Sequence, residues 1–434
     1  MKRRNFIRKA GITTLGALAT PYILPSGRLF AQTGARKVNH VIFCLFAGGV
    51  RNLESVQKAE GNLMPNILPG TESVSQDLLG SMTALPDPFG IPLSSFGTLF
   101  REFRYTDGPT GHYNAHASAM TGVYTNADVN IRLRPQFPTI FEYYRKHSSP
   151  SKSALKAWWV SDSLGPYPAL NFSNYFGYGA EYGANFIQPS SLISGQGYAA
   201  LGNPKQFSSS ELDDASIFRQ FADDNFSTQF QAGDAGVINE ANGTFQIQGF
   251  INRMFQEAIE GQHNNPWGIP TGYMNNDMRN IFYAEKVIDE FQPELLVVNM
   301  QNVDVCHNNY SSYANNLRQA DYALGHLWNF IQNTDGMMND TILIAAPEHG
   351  RNLEANTIID ENGRFALDHT NTETARQIFC LIAGPSGVVN QNSMISQVAG
   401  ESIDIAPTVA NVLGFDQEIP AGMLQGRVLE EAFV

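Results

Sequence analysis

Short, continuous apolar runs punctuate this chain, and strict alternation of apolar and polar positions is scarce. Val38–Phe46 (VNHVIFCLF), Leu155–Val160, Leu295–Met300, Ile342–Ala346 and Ile378–Ala383 read as strands buried on both faces. Between them the period changes. Ile247, Phe250, Ile251, Met254, Phe255, Ala258 and Ile259 fall on one helical face. Further helices are predicted at Ala115–Met120, Phe137–Lys146 (with Pro138 near its start), Asp277–Phe291, Tyr313–Gln332 and Ile405–Leu413. Strands alternating with helices predict an α/β fold, a three-layer sandwich with a central, mostly parallel sheet. Residues 50–110, rich in Pro, Gly and Ser, are expected to be irregular. Residues 163–245, loose in composition, are the candidate long loop-rich insertion or lid. Internal repeats and low-complexity tracts are absent.

Acids and histidines cluster beside three of the apolar runs. Asp304-Val305-Cys306-His307 follows Leu295–Met300, Glu348-His349 follows Ile342–Ala346, and Asp368-His369 precedes Ile378–Ala383. Parallel sheets place ligands at the carboxyl ends of their strands. Carboxylates and imidazoles gathered there suit a hard or borderline divalent cation, zinc or a similar ion, one or two of them. The pattern therefore predicts a metal-assisted hydrolase or a descendant of one.

Charge and cysteine usage narrow the partners. The 434 residues carry 28 Lys+Arg against 41 Asp+Glu, a net −13. Six of the cations and none of the acids fall within residues 1–31, so the remainder carries 22 against 41, a net −19. Such a surface disfavours nucleic acid and anionic membranes. Three cysteines form no disulfide framework. Cys44 and Cys380, inside apolar runs, read as small buried hydrophobes, and Cys306 is the less favoured ligand beside an otherwise hard donor set. At the amino end, Lys2-Arg3-Arg4-Asn5-Phe6-Ile7-Arg8-Lys9 precedes a modest apolar stretch, Ala10–Leu24, and a polar segment ending near Ala31-Gln32. That order marks a removable signal, residues 1–31. The paired arginines before Phe6 resemble the twin-arginine signal, which implies the twin-arginine export machinery as a partner and a periplasmic or extracellular destination. No later apolar stretch is long enough to span a membrane, so the mature chain is expected to be soluble.

Several segments, taken in order, resemble the alkaline phosphatase superfamily, which includes sulfatases and phosphodiesterases. VIFCLFAGG is similar to its opening strand and HYNAHASAMTGVYTN to its nucleophile helix, which ends in Thr-Gly. TILIAAPEHG resembles its strand ending in Asp-His-Gly, with Glu348 in place of Asp. QADYALGHLWNFIQ, SIDIAPTVANVLG and QGRVL are similar to later helices and the segment after them. The likeness spans most of residues 38–430 and implies one alkaline-phosphatase-like domain over 38–434. A closer likeness is to a bacterial branch that carries Glu-Phe-Gly-Arg-Thr and then Gly-Arg-Asp-His. Here those runs read Glu348-His349-Gly350-Arg351-Asn352 and Gly363-Arg364, with Asp368-His369 after three extra residues.

The resemblance implies two ions about 4 Å apart that clamp the attacking and leaving oxygens of an ester. It assigns Asp304, His307 and His369 to the first. The Asp-to-His spacing is three where four is commoner, so the loop must differ locally. The second site would draw on Glu348, His349 and an acid after the first strand, where this chain has Ala47 or Gly48. His349 is either a ligand or a hydrogen-bond donor behind one. The nucleophile position falls on His112, which is open to three roles: metal ligand, nucleophile or acid–base. Thr110 is the fallback nucleophile. His116 lies one turn beyond His112 on the same helical side. Arg351 is a candidate to grip the ester's oxyanion. Asn114 and Asn302 are lesser polar candidates, and Asp368 is expected to ligate or to orient His369. Aromatic residues Phe172 to Phe186 read as loop packing more than as a sugar platform. The expected function is an exported hydrolase of phosphate or sulfate esters, small or glycan-borne, with a degenerate two-metal site. The alternatives are a catalytically inactive binding protein on the same fold, and a single-ion hydrolase without a covalent intermediate.

Overall fold

The computed structural model describes residues 35–70, 85–127, 134–148, 154–162, 171–192, 239–270 and 272–434. Eight strands form one sheet: β1 (His40–Phe46), β2 (Gly97–Arg104), β3 (Ala157–Val160), β4 (Asn185–Ile187), β5 (Leu295–Met300), β6 (Thr341–Pro347), β7 (Gln377–Ala383) and β8 (Ser393–Glu401), in the order β4-β3-β5-β1-β6-β7-β2-β8. Only β7 runs against the rest, antiparallel to both β6 and β2.

Alternate residues of each central strand enter opposite layers, as the pleat requires. Ile42, Cys44 and Phe46 share one core with Leu296, Val298 and Met300 of β5. That layer is closed by α3 (Ala241–Ile259), α4 (Asn276–Phe291) and α5 (Tyr310–Gln332). Val41, Phe43 and Leu45 share the other core with Leu295, Val297, Ile342 and Ile344. There the cover is α1 (His112–Thr121), α2 (Ile140–His147) and α6 (Ile405–Val412). Both faces are buried, which is why the strands read as unbroken apolar runs. Each such side chain contributes about 1.5–3 kcal/mol by leaving water.

Local chemistry sets the helix ends. Thr139 and Glu142 form a reciprocal capping box that starts α2, so that helix opens later than the sequence suggested, with Pro138 outside it. Gly122, at φ 71°, closes α1 in the left-handed conformation. Three strands escaped the sequence reading. β2 lies in the region expected to be irregular, and a register shift between Phe100 and Phe103 breaks its period. β8 is an edge strand with mostly exposed or half-buried residues, and β4 has only three residues.

The expected insertion at 163–245 is only partly described. Within it, 171–192 belongs to the body: β4 pairs with β3, and buried Glu142 accepts bonds from Ser173 N and Oγ and from Gly179 N at 2.7–2.9 Å. Phe186 packs edge-on against Trp159, and Tyr178 against Tyr143, while Phe176 is 97% exposed. Residues 163–170 and 193–238, and the expected export signal at 1–31, lie outside the described residues. Among the described residues, no helix is long and apolar enough to cross a membrane.

Candidate metal centre

The loops after β1, β5 and β6 leave the same rim of the sheet. Because β7 is reversed, the segment entering it, Asp368-His369, lies at that rim too. So does the start of α1, which follows β2. Five of the nine histidines gather there: His112, His116, His307, His349 and His369.

The loop after β5 is a 3-10 turn, Asn302–His307. A 3-10 turn has three residues per turn, so side chains three apart eclipse. This is how the spacing of three still brings Asp304 and His307 together, with His307 Nε2 3.3 Å from Asp304 Oδ1. Asp277, at the start of α4, holds the turn by accepting from Gln301 N (2.7 Å) and Asn302 N (3.1 Å). After β1 the backbone needs glycine. Gly48 (φ 135°) carries no Cβ, which would lie 2.8 Å from Asp304 Cβ, and at Gly49 (φ 82°) a Cβ would lie 2.6 Å from His349 Cε1.

Hydrogen bonds fix the protons on three imidazoles. His307 Nδ1 is 2.7 Å from Asp368 Oδ1, His112 Nδ1 is 2.6 Å from Glu348 Oε1, and His369 Nδ1 meets the Thr110 carbonyl. Each acceptor requires an N–H on Nδ1, which leaves the lone pair of the neutral ring on Nε2. Those Nε2 atoms converge. His307 Nε2 is 2.8 Å from His369 Nε2, and His112 Nε2 is 3.3 Å from Asp304 Oδ2. Donor atoms of His112, Asp304, His307 and His369 all lie within 4.8 Å of one another. Lone pairs facing each other and a carboxylate repel unless positive charge lies between them. The set fits a cation: donors at tetrahedral corners about 2.0–2.1 Å from zinc stand roughly 3.3 Å apart. Asp304 and His307 side chains are 39% and 30% exposed, so the cluster is open on one side.

The ionisation states show the same demand. Burial opposes charge on His112, yet Glu348 and Asp304 on its two nitrogens raise it to about 10. Burial would raise Asp304 and Glu348. The imidazoles outweigh it and hold both carboxyls well below their usual range. Burial, with the His349 imidazole and the Arg351 guanidinium nearby, lowers His369 far below an ordinary histidine. A proton on His112 here stands in for the charge of an ion.

Glu348, His349 and His112 make a second group of converging donors. Glu348 Oε1 accepts from Gly48 N at 2.7 Å as well as from His112. His349 Nδ1 is 2.9 Å from Gly350 O, and its Nε2 is 3.3 Å from Glu348 Oε1. Among the described residues, neither His349 Nε2 nor Glu348 Oε2 takes a hydrogen bond, and both residues are fully buried. Ala47, also fully buried, offers no donor side chain.

Several expected roles change. Arg351 does not face the opening: it is fully buried, and its guanidinium bonds the carbonyls of Gly48, Val303 and Leu367 and, at 3.1 Å, Asp304 Oδ1. Its position suits steadying Asp304, not gripping an ester. The Thr110 hydroxyl is committed to His369 O (2.8 Å) and Asn371, so the fallback nucleophile is instead a clasp on the loop that carries His369. His116 is fully buried against Trp159 with Nδ1 3.6 Å from Glu348 Oε2, behind the cluster and out of reach of solvent. Asp368 orients His307 and not its neighbour His369. Asn114 is buried and bonded to Thr125 and Ala127. Cys306 lies in the core, its thiol pushed up to about 12 by burial, and does not join the donors. Two supports had no legible signal, the clasp by Thr110 and the Asp277 bonds. Gly48-Gly49 was visible as a turn but not as the contact that makes room for Asp304 and His349.

No family model and no curated protein matches this chain. Solved structures to which this chain is similar include wild-type alkaline phosphatase PafA (11% identity, 93% of this chain and 100% of that one, TM-score 0.47). They also include a protein in the alkaline phosphatase superfamily from Vibrio parahaemolyticus (13%, 91% and 70%, TM-score 0.44). A third is the phosphonate monoester hydrolase SpPMH from Silicibacter pomeroyi (15%, 90% and 76%, TM-score 0.40).

Proposed function

We propose that this chain is a metal-dependent hydrolase of phosphate or sulfate esters, a member of the alkaline phosphatase superfamily that acts after export. One observation carries the metal in this reading: two imidazoles whose Nδ1 atoms are engaged present their Nε2 atoms to each other at 2.8 Å, beside Asp304. The ester class rests on the ordered segments, from VIFCLFAGG to QGRVL, that resemble the superfamily. Asp304, His307 and His369 would hold the ion. An ion held there would supply Lewis acidity toward an ester oxygen. The chain's own groups do the rest. Asp368 and the Thr110 carbonyl fix His307 and His369 in the ligating tautomer. Arg351 fixes Asp304 from behind. An ester oxygen would enter from the partly exposed side of the cluster, as a further donor beyond those the protein supplies. The export part of the proposal is supported by Arg3-Arg4-Asn5-Phe6 alone, and an exported chain would act in the periplasm or outside the cell.

The test is turnover of aryl phosphate, phosphonate and sulfate esters by metal-analysed protein, with Asp304→Ala as control. Metal-dependent turnover well above that control is expected. Turnover equal to the control, with the ion still bound by the unaltered protein, would leave the second reading, a binding protein on the same fold. Ala47 and the committed Thr110 hydroxyl favour that alternative.

A further inference from the structure

The two groups of donors share one residue, His112. A neutral imidazole has a single lone pair, so it can serve only one of them. Its Nδ1 lies 2.6 Å from Glu348 Oε1, a hydrogen bond that puts the proton on that side and the lone pair on Nε2, toward Asp304. Glu348 Oε1 is already occupied by this N–H and by that of Gly48. A second ion would be left with Glu348 Oε2 and His349 Nε2: Ala47 contributes nothing at the end of β1, and His116 Nδ1, 3.6 Å from Glu348 Oε2, does not converge with His349 in that group. Two donors are too few for a protein-held divalent ion of this class.

We infer that the centre holds one ion, bound by His112, Asp304, His307 and His369, and that Glu348 is a positioning residue which orients His112 in place of ligating a second ion. All three histidines then follow one plan: Nε2 toward the ion, Nδ1 donating to an oxygen, from Glu348, Asp368 or the Thr110 carbonyl. His112 is a ligand and not the attacking group. The inference rests on the proposed function only for the presence of an ion, not for turnover.

The experiment is a zinc titration of the metal-stripped full chain, with bound metal counted and the zinc-loaded form examined by X-ray absorption. One equivalent is expected, with about three imidazoles on it and no metal–metal vector. Glu348→Gln should keep one equivalent but bind it roughly 10–100-fold more weakly. His112→Ala should weaken binding at least as much, with circular dichroism showing the fold intact. Two equivalents, or a metal–metal vector near about 4 Å, would overturn the inference while leaving the hydrolase proposal standing. So would unchanged zinc affinity in folded His112→Ala. One ion without ester turnover would have the opposite consequence. The absorption measurement uses the unaltered protein, so a variant that fails to fold does not stall the test.

Discussion

Two pairs of acids in this molecule differ in their partners: Asp277 and Asp321 within the helical layer, and Asp304 and Glu348 at the rim, where Glu348 is buried and Asp304 is 39% exposed. Asp277 and Asp321, on α4 and α5, are almost completely buried, and burial raises each to about 7 against the pull of their hydrogen bonds. Both oxygens of each are answered by N–H donors. Asp321 accepts from Asn66 N, Asn66 Nδ2 and Ile67 N at 2.8–3.0 Å. At the rim, Asp304 and Glu348 each have one fixed donor, Arg351 and Gly48 N, and otherwise meet imidazoles, several of whose nitrogens face acceptors or one another with no proton to share. A shifted carboxyl is therefore not by itself a sign of function here. The acids on the helices are finished local clamps. The rim is a set of donors that becomes complete only when positive charge enters.

The strongest attempt to break that contrast is to empty the rim. Asp304→Ala should cost more than about 100-fold in zinc affinity, beyond what loss of a supporting partner costs, and reduce ester turnover to background. Asp321→Ala should leave zinc affinity unchanged and cost about 1–3 kcal/mol of stability, because amide donors at Asn66 and Ile67 lose their acceptor. If removing Asp304 left zinc binding intact, the rim would be one more clamp.

Next in size is Asp368→Asn, which keeps the shape but no longer demands a proton on His307 Nδ1. Zinc affinity should fall roughly 10–100-fold with the thermal midpoint little changed. A drop in stability without a drop in affinity would assign Asp368 to the loop and not to the ligand.

Titration separates the two regions by sign. Asp321 has a folded-state value of about 7 and an unfolded value near 3.9. Below about 4 it is protonated in both states, and its contribution is fully present. As pH rises from there toward 7 the unfolded chain ionises first, so the contribution is lost, by up to about 1.4 kcal/mol per pH unit. Denaturant midpoints of the metal-free protein and Asp321→Asn should therefore diverge in pH slope between about pH 4 and 7, the unaltered protein falling more steeply with rising pH. Parallel slopes would mean that Asp321 ionises in the fold at its ordinary value.

Much of this contrast was legible before the fold was known. The apolar runs and acid–histidine clusters announced strands and a rim of candidate cation donors, because a strand buried on both faces leaves an unbroken apolar signature and ligands collect at strand ends. The Glu348, His349 and His112 assignments stayed open because a one-dimensional pattern cannot say which nitrogen carries a proton. Arg351 and Thr110 looked catalytic for the same reason: a charged or hydroxyl group near ligands reads alike whether it faces the opening or the backbone. β2 and β8 were missed where a bulge or an exposed edge removes the periodicity on which strand reading depends.

The finest probe is Gly49. Its φ of 82° is strained for any residue with a side chain, and an added Cβ would press on His349 at 2.6 Å from Cε1. Gly49→Ala should cost at least about 1–2 kcal/mol of stability and displace the His349 ring, which stacks on His369 with centroids 3.9 Å apart. With a single ion held by His112, Asp304, His307 and His369, zinc affinity should change by less than about threefold, because His369 stays fixed through Nδ1 on the Thr110 carbonyl. A loss of affinity as large as that of Asp368→Asn would make His349 a ligand, and the count of one ion would have to be given up.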